Sequence, residues 1–249
     1  GGFSDGISFQ MNDSLTAITW GTFIGGSGSD AAYGSQFNSS GDLYITGGTA
    51  SADLPMDNKG YDSTHNGQED GFLIRYNVAQ DTMLASTFLG TAGYDQTYFV
   101  QIDVSDDVYV LGQSNGGYPV QGSVYSNPNS GQFIHKLGAN LDTSIWSTVV
   151  GSGSGQVDLS LTAFLVNNCG YVYLSGWGGS LAGIGLYRAD FSSTNNLPLS
   201  ADAYQSTTDG TDFYLMVLNN DATNLLFGTY FGGGISMEHV DGGTSRFDK

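Results

Sequence analysis

The chain is poor in basic residues, cysteine, proline and glutamate. Lys and Arg number 6 against 24 Asp and Glu in 249 residues, a net charge of −18. Six cations cannot neutralise a phosphate backbone, so no nucleic-acid partner is expected. An anionic membrane surface repels such a chain. Only Glu69 and Glu238 are glutamates. The other acids are Asp, which favours turns and caps over helix interiors. One cysteine, Cys169, leaves no partner for a disulfide within these residues. No run approaches 18 apolar residues, so neither a transmembrane helix nor direct membrane insertion is expected. The first residues, Gly-Gly-Phe-Ser-Asp-Gly (1–6), lack the basic and apolar regions of a signal peptide.

What is abundant points to strands. The chain has 38 Gly, 15 Tyr and 14 Phe. Aromatics at 13% argue against disorder. Asp, Asn and Gly between short apolar runs are turn residues, so many short strands are expected and a helical bundle is not.

An internal repeat organises the sequence. Trp-Gly-Thr-Phe-Ile-Gly-Gly (20–26) returns as Ser-Thr-Phe-Leu-Gly (86–90), Ser-Thr-Val-Val-Gly (147–151) and Gly-Thr-Tyr-Phe-Gly-Gly (228–233). The threonines Thr22, Thr87, Thr148 and Thr229 anchor the copies at separations of 65, 61 and 81 residues. Seventeen residues before each anchor stand Asp5, Asp70, Gly131 and Asp212, each opening an apolar run. Tyr44 and Tyr109 lie 22 residues after their anchors, and Tyr173 lies 25 after its own. Pro55, Pro119 and Pro198 are each followed six residues later by Tyr61, Tyr125 and Tyr204.

One unit holds four apolar runs, near 33–38, 42–47, 71–76 and 83–89. Four strands in one period predict an antiparallel sheet, and a series of such sheets predicts a β-propeller. The fold class expected is therefore all-β, a propeller of four-stranded antiparallel blades forming an incomplete ring. Residues 1–25 are the outer strand pair of a preceding blade. Blades follow at 26–90, 91–151 and 152–232, the last with an insertion at 177–211, and 233–249 starts the next. Other blades of the same longer chain are expected partners. A parallel β-helix needs shorter, constant rungs, and a β-sandwich does not explain phase-locked repeats.

These motifs resemble the bacterial seven-bladed β-propeller repeat (SBBP-type) family. The resemblance rests on Thr-Phe-Ile-Gly-Gly-Ser-Gly-Ser-Asp (22–30), on Asn-Ser-Ser-Gly-Asp-Leu-Tyr-Ile-Thr-Gly-Gly-Thr (38–49), and on the Leu-Pro pairs ending at Pro55 and Pro198. Tyr118 before Pro119 departs from the pattern. Segments 163–179 and 238–248 are similar to parts of very large secreted proteins of Bacteroidota, associated with gliding motility and type IX secretion. The resemblance implies an extracellular, cell-surface protein, with outer-membrane type IX translocon proteins among its partners. It brings no catalytic residue. It also implies that Cys169 can pair with a cysteine outside these residues; the alternative is a buried free thiol on a strand.

Chemistry-bearing clusters are sparse. His65, His135 and His239 share no metal-ligand spacing. His135 replaces Ile74 and Met216 of the sister units and should face packing. No Gly-x-Ser-x-Gly elbow occurs, and Gly-Ser-Gly-Ser-Gly (151–155) lacks the Lys-Ser/Thr of a phosphate loop. Asp106 with Asp107, and Glu69 with Asp70, could serve glycoside hydrolysis. Asp70 nevertheless repeats at Asp5 and Asp212, and Asp42 aligns with Asp107, so a structural turn role is expected. No cofactor is expected. Calcium is the one ion the Asp/Ser/Thr/Gly segments 26–30 and 202–212 could hold. Trp20 and Trp146 recur at one position and should pack between blades.

The insertion is where individual function would concentrate. Trp177, Tyr187, Arg188, Asp190 and Phe191 are the candidate interaction residues. The function expected is a non-enzymatic scaffold or interaction propeller. A module binding surface glycans, or a polysaccharide hydrolase with a central-channel site, are the alternatives.

Overall fold

The computed structural model describes residues 2–57, 59–178 and 192–233. The described residues contain no α-helix; they form antiparallel sheets. The first sheet has two strands, β1 (Gly6–Met11) and β2 (Ile18–Ile24). The second runs β3 (Asp30–Phe37), β4 (Leu43–Thr49), β5 (Asp70–Asn77) and β6 (Thr82–Leu89), paired in chain order. The third has β7 (Asp95–Ile102), β8 (Val108–Ser114), β9 (Gln132–Leu137) and β10 (Ser144–Val150). The fourth has β11 (Ser160–Val166), β12 (Val172–Trp177), β13 (Phe213–Leu218) and β14 (Leu225–Phe231). The expected start of a further blade falls, from 234 on, outside the described residues.

Two compact units share the chain. The first comprises Gly1–Gly116 with Lys136–Ile145, and the second Gly117–His135 with Trp146–Lys249.

In the first unit, β4 is buried along its whole length. Its alternating residues serve two interfaces. Leu43 and Ile45 join Ile24, Leu54, Phe72, Ile74 and Phe88 in an apolar cluster that also takes in Trp20 of the first sheet. Tyr44 and Thr46 serve the other interface. There Thr46 Oγ1 donates to Thr97 Oγ1 of β7 at 2.6 Å, and Tyr33 of β3 packs on Tyr98 of β7 with ring centroids 5.4 Å apart. Alternation here separates two buried faces rather than core from solvent.

The repeat extends to irregularities. Register slips by one residue between Ala32 and Gly34, between Thr97 and Phe99, and between Leu161 and Ala163. Each is a bulge in the first strand of its sheet. A second bulge recurs near the start of the last strand, between Arg75 and Tyr76 and between Val217 and Leu218 on the partner side. Bulges strengthen local twist. The first strand of the second sheet also starts at Asp30, earlier than the expected 33, because that Asp ties down the loop before it.

Thr87, Thr148 and Thr229 sit in the last strand of their sheets and clasp the loop between strands two and three. Thr87 Oγ1 accepts from Asp62 N at 2.9 Å, and Thr229 Oγ1 accepts from Gln205 N at 3.0 Å. Thr148 Oγ1 donates to Tyr125 O. Three residues on, the chain passes a carboxyl group at Gly25, Gly90, Gly151 and Gly232. A Cβ at Gly25 would lie 2.5 Å from Asp5 Oδ1 and 2.8 Å from Asp30 Oδ2. At Gly90 it would overlap the Asp70 carboxyl, at Gly151 that of Asp158, and at Gly232 that of Asp212. The repeated glycine is thus the space the aspartates need. Gly131 breaks the Asp pattern because the Gln156 carbonyl, in the longer 151–158 loop, occupies the room a side chain would take.

Gly90→Ala should cost about 1–3 kcal/mol by overpacking. Gly21→Ala, whose Cβ meets Phe9 Cβ only at 3.4 Å, should be nearly neutral. Urea unfolding of both variants checks the contrast.

Candidate functional site

The buried polar groups fall into two recurring clusters. The first lies where one sheet hands over to the next. Asp30, Asp95 and Asp158 are equivalent and buried. Asp30 Oδ2 accepts from Gly26 N at 2.9 Å and Ser51 Oγ at 2.8 Å, and its Oδ1 accepts from Thr49 Oγ1. Asp95 Oδ2 accepts from Thr91 N and Oγ1 at 2.7 and 2.8 Å. Asp158 accepts from Ser152 N and Oγ at 2.7 and 2.6 Å. Each Asp therefore closes the Gly/Ser loop upstream of itself.

Beside them stand Asp70 and Asp212. Asp70 Oδ2 accepts from Asn66 N at 2.8 Å, and Asp212 Oδ2 from Gln205 Nε2 at 3.2 Å. Their Oδ1 atoms are buried without a hydrogen-bond partner. Desolvation pushes Asp70 up to about 6, reinforced by the Asp95 charge. Burial also raises Asp95, Asp158 and Glu69.

The second cluster lies at the other end of the strands. Asp42 Oδ2 takes Arg75 Nε and Nη2 at 3.0 and 2.7 Å, and the guanidinium stands 5.9 Å from the Tyr44 ring centroid. Tyr44 OH donates to Ala139 O at 2.6 Å, and Arg75 Nη1 reaches Asn140 Oδ1 at 2.9 Å. The next repeat rebuilds this with lysine. Lys136 Nζ lies 3.0 Å from Asp107 and 3.1 Å from Asp103, and 4.8 Å from the Tyr109 ring centroid. Burial works to depress Lys136, but Tyr109, Asp107 and Asp103 outweigh it and hold the amine above its ordinary value. Burial pushes Tyr44 and Tyr109 up to about 12. In the fourth sheet Val217 and Tyr171 stand at the Arg and Asp positions, so that pair is missing there.

His135 is fully buried, its Nδ1 2.7 Å from Tyr118 OH, and burial pushes it down to about 3. Tyr118 stacks on Phe133 at 3.7 Å. This neutral histidine fills the packing position expected of it. His65 Nε2 lies 3.2 Å from Thr49 O, with its ring edge-on to Phe88. Trp20 packs against the second sheet and donates from Nε1 to Asp81 Oδ1 at 2.9 Å.

Of the expected interaction residues, Trp177 ends β12, buried at 8% exposure and paired with Ser160 and Phe213. It belongs to the sheet rather than to a loop. Tyr187, Arg188, Asp190 and Phe191 lie outside the described residues, as does His239. Cys169 corrects one alternative. It is an exposed residue of the turn between β11 and β12, its N–H donating to Asn167 Oδ1 at 2.9 Å, and is not buried on a strand. The turn follows from Asn167 capping two main-chain amides.

Among the described residues no group of three or more His, Cys, Asp or Glu converges for a metal ion. The oxygens of Asp30, in the first calcium candidate, are taken by Gly26, Ser51 and Thr49. In the second, Asp209 Oδ1 accepts from Thr211 N and Oγ1 at 2.9 and 2.7 Å. No helix among the described residues is long and apolar enough to cross a membrane. The chain matches no protein-family model and no curated protein.

Two outcomes follow from this electrostatics. Asp70 binds its proton more tightly folded than unfolded, so its stabilising contribution is full below pH 3.8 and is lost as pH rises through about 6. Asp70→Asn should melt near wild type at pH 4. At pH 8 it should melt above wild type by about 2–4 °C, the shift a 1 kcal/mol change makes in a chain this size. Lys136→Met leaves Asp103 and Asp107 unpaired and should cost about 3 kcal/mol in urea unfolding. Arg75→Met, whose guanidinium is more exposed than the Lys136 amine (18% against 9%), should cost less.

Proposed function

We propose that these sheets are blades of a β-propeller acting as a non-enzymatic scaffold in a large exported cell-surface protein. In this reading the protein is a type IX secretion substrate that serves gliding or adhesion. The observation that carries the scaffold role is the duplication of the polar clusters. Asp42, Arg75 and Tyr44 recur as Asp107, Lys136 and Tyr109. The Asp30 clasp recurs at Asp95 and Asp158. A catalytic constellation is assembled once; groups that return with the repeat perform the repeat's structural work.

An apolar cleft lined by Phe23, Leu54, Pro55, Tyr76 and Met83 measures about 190 Å³. That cleft is smaller than the roughly 300–1,000 Å³ of small-molecule sites. The propeller arrangement is supported by the series of four-stranded meanders, with β7 packed on β3, β4 and β5 of the sheet before it. Export and surface location rest on the resemblance of the repeat motifs and of segments 163–179 and 238–248, an argument by analogy.

Antibodies raised against this chain should label intact, unpermeabilised cells that make the native protein. They should co-precipitate a polypeptide much heavier than 26.2 kDa together with outer-membrane translocon components. Labelling confined to permeabilised cells would refute export. Polysaccharide cleavage abolished by Asp70→Asn would refute the scaffold role.

A further inference from the structure

Asp70 and Asp95 meet at the joint between the second and third sheets, inside the first compact unit. Asp95 N donates to Glu69 O at 2.8 Å beside an isolated parallel bridge of Glu69 with Tyr94, and this register sets Asp70 next to Asp95. Both carboxyls hold one segment. A Cβ at Gly90 would lie 2.3 Å from Asp70 Oδ1, and the following residue, Thr91, donates its N–H to Asp95 Oδ2 at 2.7 Å. Both aspartates are fully buried.

Each keeps one bare oxygen. Oδ1 of Asp70 and Oδ1 of Asp95 are buried without a hydrogen bond. The equivalent clasps are complete. Asp30 takes Gly26 and Ser51 on one oxygen and Thr49 on the other. Asp158, whose companion position is Gly131 rather than an aspartate, takes Ser152 on both oxygens. The bare oxygens therefore go with the facing of two carboxyls in a buried joint.

Two such carboxylates suffer desolvation and mutual repulsion, which a cation, a base or a proton can relieve. Among the described residues no third ligand converges for a metal ion, and Gly90 closes the space against Asp70 Oδ1. The charged groups facing Asp70 are His65 and Asp62, from the loop before β5, and Asp95 from β7. His65 Nε2 lies 3.2 Å from Thr49 O, and Asp62 adds to the repulsion. A proton needs no room, and it turns one carboxyl into a donor for the other.

We propose that Asp70 and Asp95 hold one proton between them and act as a pH-sensitive latch on the Gly90–Thr91 segment. Asp95 is the anion, because Thr91 gives it two donors, whereas Asp70, the acid, takes one from Asn66. Burial raises both groups, and for Asp70 the Asp95 and Asp62 charges work with burial against Asn66 and His65. Ser114, opposite Asp95 on β8, relieves its burial in part. Since the folded pair binds protons more tightly than the unfolded chain, the latch is full below pH 3.8 and is lost as pH rises through about 6. Two facing anions then part and free the segment. The latch is internal to the sheets and does not depend on the reading as an exported scaffold.

Protein carrying 13C at the aspartate side-chain carboxyls, titrated by NMR, tests this, with Asp70→Asn and Asp95→Asn assigning the two resonances. In wild type each resonance should report the other's step, as coupled groups do. In Asp95→Asn the Asp70 carboxyl should titrate at lower pH than in wild type, and in Asp70→Asn so should Asp95. Asp158 should be unmoved by either change. After correction for base catalysis, amide-exchange protection of the Thr91 N–H should fall at least about tenfold from about pH 5 to about pH 8, the factor that one pH unit of differential proton binding supplies. It should stay constant in the double variant, with melting temperatures at about pH 4 confirming the fold. Single steps indifferent to the partner's substitution would overturn the inference, as would unchanged Thr91 protection. A wild-type titration displaced by calcium chloride would assign the place to a cation and overturn it too. Cell-surface labelling is unaffected by these outcomes, so failure here leaves the scaffold role to its own test.

Discussion

A strand buried on both faces cannot be stabilised by its own sheet. β4, β8 and β9 are buried end to end, so both sides of each need a neighbouring layer. This constraint makes the junction between sheets the working part of the fold. The alternation of Leu43 and Ile45 with Tyr44 and Thr46 divides one strand between two junctions. The loops must then turn within little space and without orphaned amides. Thr87, Thr229 and the equivalent aspartates supply that by taking main-chain N–H groups that no strand pairs, while Thr148 gives its hydroxyl proton to a loop carbonyl.

Burying carboxylates to satisfy loops has a cost in desolvation, visible in the raised values of Asp70, Asp95 and Asp158. It is offset by the main-chain N–H and hydroxyl donors that each group accepts. At the opposite end of the strands the few cations are used internally. Of the three basic residues described, Arg75 and Lys136 lie in ion pairs over tyrosine rings. The exterior is correspondingly acidic, which favours solubility and disfavours polyanionic partners.

The duplication of these clusters has a functional consequence. Groups that would draw notice if met singly, such as a buried Asp closing a Gly/Ser loop or a cation paired with Asp over a tyrosine ring, recur at the repeat period. Leu15, 72% exposed, has the same local geometry as the fully buried Leu141 and Ala222 and differs in what lies against it.

Much of this was legible in the residues alone. The period, the four strands per unit, the antiparallel pairing and the packing role of His135 follow from aligned apolar runs and turn residues, because these are local properties of the chain. The tertiary structure decided what local pattern cannot encode. It made the glycine three residues after each anchor the space for a carboxyl, put Trp177 inside a sheet, and brought Cys169 out into a turn. It also showed Arg75 and Lys136 as equivalent ion pairs. Each depends on which surface is brought against which, and burial is set by neighbours distant in sequence.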